Sequence, residues 1–153
     1  MKIKILISFI LPAIILLLLF LGLNNKNYYE TKNLIGKKIS DFEIKKLNED
    51  KLVNRKSLSN NNFTLINFFA SWCGPCRLEH SYLLSLKKDN KLQILGINFK
   101  DKKANAINFL NELGNPYYEI LKDSNGKESV NFGIYGIPES ILIDKNFKII
   151  KKF

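Results

Sequence analysis

Thr64-Leu65-Ile66-Asn67-Phe68-Phe69-Ala70-Ser71-Trp72-Cys73-Gly74-Pro75-Cys76 decides the fold. Thr64 to Ala70 is a nearly continuous apolar run of strand length, as expected of a strand buried on both faces. From about Pro75 to Lys88 the pattern becomes helical, with Leu78, Leu83, Leu84 and Leu86 among its apolar positions. The only two cysteines of the chain therefore stand where a buried strand gives way to a helix. A helix N-terminus carries unpaired N–H groups and the positive end of the dipole, which favour a thiolate at Cys73. Moving a thiol pKa from about 8.5 to about 7 takes roughly 2 kcal/mol and raises the reactive fraction at pH 7 from about 3% to about half. Pro75 suits the first turn, where its missing N–H costs little. Cys76, one turn further in, can close the ring and resolve a mixed disulfide.

Other uses of the pair fit less well. A structural disulfide would enclose two residues and constrain the unfolded chain little. A zinc site wants four ligands, whereas the chain offers two Cys and one His, so no metal is expected. Covalent haem attachment needs His directly after the second Cys, and Arg77 stands there. The spacing favours redox chemistry with the Cys73–Cys76 pair as the only redox group and no further cofactor. His80, the sole histidine, lies beyond them on the same helix and reads as a surface or packing residue.

Working outward, Gln93–Phe99 reads as a second buried strand and Lys102–Leu113 as a helix stopped by Gly114. A weaker segment comes next. Ser140–Ile143 and Phe147–Lys151 then flank Asp144-Lys145-Asn146, a hairpin signature. Upstream, short strands are expected at Phe42–Leu47 and Lys51–Asn54, and a loop at Asn60-Asn61-Asn62. The order implies an α/β fold with a mixed central sheet. Pro138 reads either as a strand-opening residue or as a cis-proline, and general rates favour trans.

The formal charge is +10, with 22 Lys against Arg55 and Arg77. Dispersed lysines, and runs such as Lys100–Lys103 and Lys151–Lys152, read as solvated faces, and no nucleic-acid motif accompanies them. Ile5 to Leu23 is uncharged and as a helix would measure about 28 Å, close to the hydrocarbon thickness. Lys2 and Lys4 precede it, so the rest of the chain should be exported. No Ala-x-Ala site succeeds it, which favours an uncleaved anchor over a signal peptide. The expected divisions are a membrane anchor at 1–23, a polar stalk at 24–33 and one domain at 34–153.

Trp72-Cys73-Gly74-Pro75-Cys76 resembles the active-site motif of the thioredoxin superfamily. With Arg77-Leu78-Glu79-His80 appended it is similar to the CcmG/DsbE family, the anchored thiol–disulfide proteins of cytochrome c maturation. Gly96-Ile97-Asn98-Phe99-Lys100-Asp101, Phe109 to Tyr117 and Phe132 to Ser140 agree. The resemblance implies a thioredoxin-like fold with Cys73 as nucleophile and Cys76 as resolving thiol, supported by Trp72, Gly74 and Pro75. It makes Pro138 a cis-proline, with Ile137 offering its backbone to a bound peptide. Glu79 and Glu139 match acidic positions near the family's active site, set against readings as a solvated helix residue and a strand-end residue. Thioredoxins carry a buried Asp where Asn67 stands, so that acid is missing here. Asn98 to Leu113 resembles a βα insertion in the thioredoxin core.

The implied activity is that of a protein-disulfide reductase on the periplasmic side of a bacterial inner membrane. Its expected partners are apocytochrome c or a thiol partner of the haem-attachment machinery, with a DsbD/CcdA-type membrane electron donor. The alternatives are a general exported thiol reductase or oxidant, and a non-catalytic docking module with a structural disulfide. Relatives continue past the final hairpin into a helix packed on the sheet. The sequence here stops at Phe153, so a partly bare sheet face is expected.

Overall fold

A computed structural model describes residues 2–24, 34–58 and 62–153, with side chains described over residues 10–22 of the first segment. The chain divides into two compact units, Met1–Glu30 and Thr31–Phe153. In the first, α1 (Lys2–Asn24) contains the expected uncharged run, including Pro12. Among the described residues no helix is long and apolar enough to cross a membrane. The expected stalk, beyond Asn24, and the loop residues Asn60 and Asn61 lie outside the described residues.

The second unit begins its sheet with β1 (Glu43–Lys46) and β2 (Leu52–Asn54), followed by β3 (Phe63–Phe69), α2 (Gly74–Leu86) and β4 (Leu92–Phe99). Then come α3 (Lys103–Leu113), β5 (Glu119–Asp123), α4 (Lys127–Asn131), β6 (Glu139–Asp144) and β7 (Ile149–Lys152). The seven strands lie in the order β2-β1-β5-β4-β3-β6-β7. Strands β3, β4 and β5 run parallel, and the other pairings are antiparallel. This is the mixed sheet of a thioredoxin-like α/β fold.

β5 and α4 fill the stretch that the sequence left as a weak segment. β5 has only Ile120 and Leu121 as apolar core residues, too short a run to show a period. α4 is a single short helix tied down from outside, since Asp123 accepts from Ser129 N (2.8 Å) and Ser129 Oγ (2.7 Å). The segment expected as an insertion comprises the end of β4 and α3, and it leads into β5, a further parallel strand. The expected hairpin is present, with Asp144 Oδ1 accepting from the N–H groups of Asn146 (2.8 Å) and Lys148 (2.9 Å).

Successive side chains of β3 point to opposite faces. Ile66 and Phe68 join a cluster with Leu95, Ile97, Ile141 and Phe132. Leu65 and Phe69 join another with Ile94, Leu83, Phe109, Tyr117 and both cysteines. Asn67, which shares the second face, stands opposite Gly96 of β4 and Ser140 of β6. Gly96 is required there because a Cβ would meet the Tyr117 ring at 2.9 Å. That ring cannot retreat, since it stacks on Phe69 at a centroid distance of 4.8 Å. Gly96→Ala should therefore destabilise the domain by about 1–3 kcal/mol. A lower urea midpoint at unchanged m-value is the expected reading, and an unchanged midpoint would show that the ring yields freely.

Candidate active site

Cys73 caps α2 from an extended conformation (φ −87°, ψ 107°), with Gly74 and Pro75 in the first turn as the sequence suggests. Its Sγ is bonded to Cys76 Sγ at 2.05 Å and accepts the Cys76 N–H at 3.2 Å. An N–H aimed at this sulfur from the positive end of a helix stabilises a thiolate there once the disulfide opens. Both cysteines are buried, Cys73 4% exposed and Cys76 1%. Both pack in the cluster of Phe69 and Ala70, against which Ile137 also packs. Cys73 is the more open of the two.

Two fastenings hold the neighbouring loops. Asp101 accepts from Ser71 N (2.7 Å), Ser71 Oγ (2.9 Å), Asn98 Nδ2 (3.1 Å) and Lys102 N (2.8 Å). Trp72 donates its indole N–H to Lys100 O at 3.2 Å and leaves its ring 59% exposed beside the disulfide. On the other side the Ile137–Pro138 bond is cis, as the resemblance implied. Glu139 accepts from the N–H groups of Tyr135 and Gly136, both at 3.0 Å. Its other oxygen meets Lys152 Nζ at 2.5 Å, and Lys152 also donates to Gly133 O at 2.6 Å. Glu139 thus fastens the cis-proline loop. Lys152, read from sequence as solvated, has a side chain only 6% exposed because these acceptors draw it inward.

Below the cysteines lies a polar network that the sequence did not disclose as a unit. Asn67, fully buried, donates from Nδ2 to Glu79 Oε1 (2.9 Å) and Ser140 Oγ (3.0 Å). Its Oδ1 accepts from the Tyr117 hydroxyl at 2.8 Å. Glu79 is half-buried, so the solvated reading of this residue falls. Loss of water pushes its carboxyl above the ordinary range, and the Asn67 hydrogen bond and the nearby His80 offset this only in part. Burial, and then the charge of Glu79, raises the Tyr117 phenol well above its usual value. His80 is a packing residue, 2% exposed and edge-on to Phe109 at 4.9 Å. Its Nε2 lies 2.8 Å from Gly114 O, and since a carbonyl only accepts, that nitrogen carries the proton. Asn67 and Tyr117 each showed a signal, a polar residue in an apolar strand and a Tyr in a family-like string, but nothing joined them.

On the same face, a groove of about 540 Å³ runs between α2 and the β3–β6 pair. Leu65, Leu83, Leu86, Leu142 and Phe153 line it, together with Glu79 and Ser140. Among the described residues no cluster of His, Cys, Asp and Glu could hold a metal ion.

The raised Glu79 carboxyl has a consequence for stability. The native state holds a proton there that the unfolded chain releases near pH 4.3, so stability falls as pH rises from that value through the folded one, then levels. Glu79→Gln should lose that fall. Urea midpoints measured between about pH 4 and pH 8 check it, and a variant whose stability declines as steeply as the parent's would overturn the assignment.

The Redoxin family profile matches residues 34–153. The thiol:disulfide interchange protein CycY of Rhizobium leguminosarum bv. viciae is 54% identical over 89 residues, which covers 58% of this chain and 48% of that protein. DsbE of Tatumella citrea, also a thiol:disulfide interchange protein, is 42% identical over 112 residues, or 72% of this chain and 60% of that one. The chain thus spans about half to three-fifths of the length of these relatives. A Chlorobium tepidum crystal structure described as a DsbE-type protein superposes with a TM-score of 0.66 at 26% identity, covering 77% of this chain and 83% of that one. On that match, which takes in the whole sheet and the cysteine junction, the chain belongs to the Redoxin family, in its group of DsbE and CycY thiol:disulfide interchange proteins.

Proposed function

We propose that the protein is a thiol–disulfide oxidoreductase that reduces disulfides of apocytochrome c, or of a thiol partner in haem attachment. One observation carries the reading: the Cys76 N–H points at the Cys73 sulfur at the head of α2, beside the cis-proline loop. In the dithiol form the Cys73 thiolate attacks a substrate sulfur, and one substrate thiolate leaves. Cys76 then attacks Cys73 in the mixed disulfide, its proton passes to a base, and the second substrate sulfur departs with the electron pair. The substrate is reduced and the Cys73–Cys76 disulfide is formed, with no redox group needed beyond the pair. Ile137 and Pro138 offer backbone to an extended substrate segment. Trp72 adds an exposed aromatic face.

A membrane donor of the DsbD/CcdA type would return the pair to the dithiol. The same proposal places the domain on the periplasmic side of a bacterial inner membrane, held by the helix over Ile5–Leu23. The uncharged run and the lysines before it support this. The names of the relatives support the link to disulfide interchange, and the link to cytochrome c maturation comes through the DsbE resemblance.

Cys73→Ser should reduce exchange with a disulfide substrate to the uncatalysed rate. Cys76→Ser should instead accumulate a covalent adduct that thiols release, and mass spectrometry of the adduct names the substrate. Full exchange activity in Cys73→Ser would reduce the disulfide to a structural link and end this reading.

A further inference from the structure

We propose that Tyr117 is a positioning residue for the resolving step: its hydroxyl fixes the Asn67 amide so that Glu79 is held as the base for Cys76. The proposal rests on the oxidoreductase reading of the Cys73–Cys76 pair.

An ionised carboxylate accepts only, so beside Glu79 the Asn67 amide must present Nδ2. Oδ1 then faces the other way and needs a donor. The Tyr117 hydroxyl supplies it at 2.8 Å, and burial keeps that hydroxyl protonated. The Tyr117 ring reaches Asn67 because Gly96, paired with Asn67 across the sheet, has no side chain to exclude it. Nδ2 is left to Glu79 Oε1 and Ser140 Oγ, at 2.9 and 3.0 Å. Without the phenol, Oδ1 is left buried with no donor, which weakens the hold of Nδ2 on Glu79, because a turned amide would gain a partner for that oxygen only by setting it against the carboxylate.

Glu79 is suited to the task by position. It stands three residues beyond Cys76 on α2 and so shares its helix face. It also borders the groove, through which a proton can pass to water. When Cys76 attacks the mixed disulfide, its S–H proton goes to the Glu79 carboxylate and its electron pair forms the Cys73–Cys76 bond. The pair of the broken bond leaves on the substrate sulfur. Glu79 then gives its proton to water or to that thiolate, and atoms and electrons balance.

The test mixes the reduced full chain with excess 5,5′-dithiobis(2-nitrobenzoate) in a stopped-flow instrument. The first absorbance phase reports attack by Cys73 and the second reports resolution by Cys76. Tyr117→Phe keeps the ring on Phe69 and removes the donor. The acid limb of the second phase should then move to higher pH, with about a tenfold slower second phase on the acid side, as for loss of one hydrogen bond to a charged group. The first phase should be unchanged. Glu79→Gln should abolish the limb, and Tyr117→Phe should add nothing in that background. A limb unmoved by Tyr117→Phe overturns the proposal while leaving the oxidoreductase reading intact, as does a limb that persists in Glu79→Gln, even if the Tyr117 variant fails to fold. If the parent shows no second phase at all, the oxidoreductase reading itself fails.

Discussion

A buried amide has to satisfy both of its donors and its acceptor, and the core is arranged around meeting that demand at Asn67. Each of these groups left unpaired would cost about 1–3 kcal/mol. The strand register supplies one partner, Ser140 on β6. The missing side chain of Gly96 on β4 admits the second, the Tyr117 hydroxyl. The third, Glu79, comes from α2, so the same polar contacts that satisfy the strand also fix how the helix lies on it. Because the cysteines stand at the head of that helix, their placement depends on polar atoms in the middle of the sheet.

The loops around the disulfide are held by carboxylates in the same manner. Asp101 takes four donors, two from Ser71 before Cys73, one from Asn98 at the end of β4 and one from Lys102 after it, and the indole N–H of Trp72 is held by the Lys100 carbonyl of the same loop. Glu139 takes two backbone donors of the cis-proline loop and is itself pinned by Lys152 from the last strand. Each carboxylate sits where a turn leaves N–H groups without backbone partners, and a charged acceptor makes hydrogen bonds about twice as strong as neutral ones. The sheet edge and the loop facing the disulfide are thereby a single mechanical unit.

These fastenings mark the limit of what was legible in sequence. The strand–cysteine–helix junction could be read because a long apolar run and an amphipathic pattern give strong periodic signals. The hairpin could be read from its turn residues, and the cis-proline only through resemblance. β5 escaped because two apolar residues carry no period, and α4 because it depends on a clasp from Asp123. Lys152 looked solvated because charge in sequence carries no sign of its partners, Glu139 and the Gly133 carbonyl. Asn67 was visible as a departure from an acidic position, yet its connection to Tyr117, fifty residues on, belongs to strand pairing alone. The helix end fixes the electrostatics of the Cys73 sulfur but not how closely Ile137, Phe69 and Ala70 pack around it.

Moving the acid from strand to helix changes what controls it. A carboxylate at Asn67 would be sealed within the sheet, its protonation set once by folding. Glu79 instead is half-buried and borders a groove lined by Leu65, Leu83, Leu86 and Leu142. Its carboxyl already lies above the ordinary range through partial loss of water. Any apolar group that closed the groove would remove more and push it higher, by the same desolvation that raises buried acids elsewhere. A protonated Glu79 can accept no proton from Cys76, so covering this face and slowing resolution would be two sides of one electrostatic event.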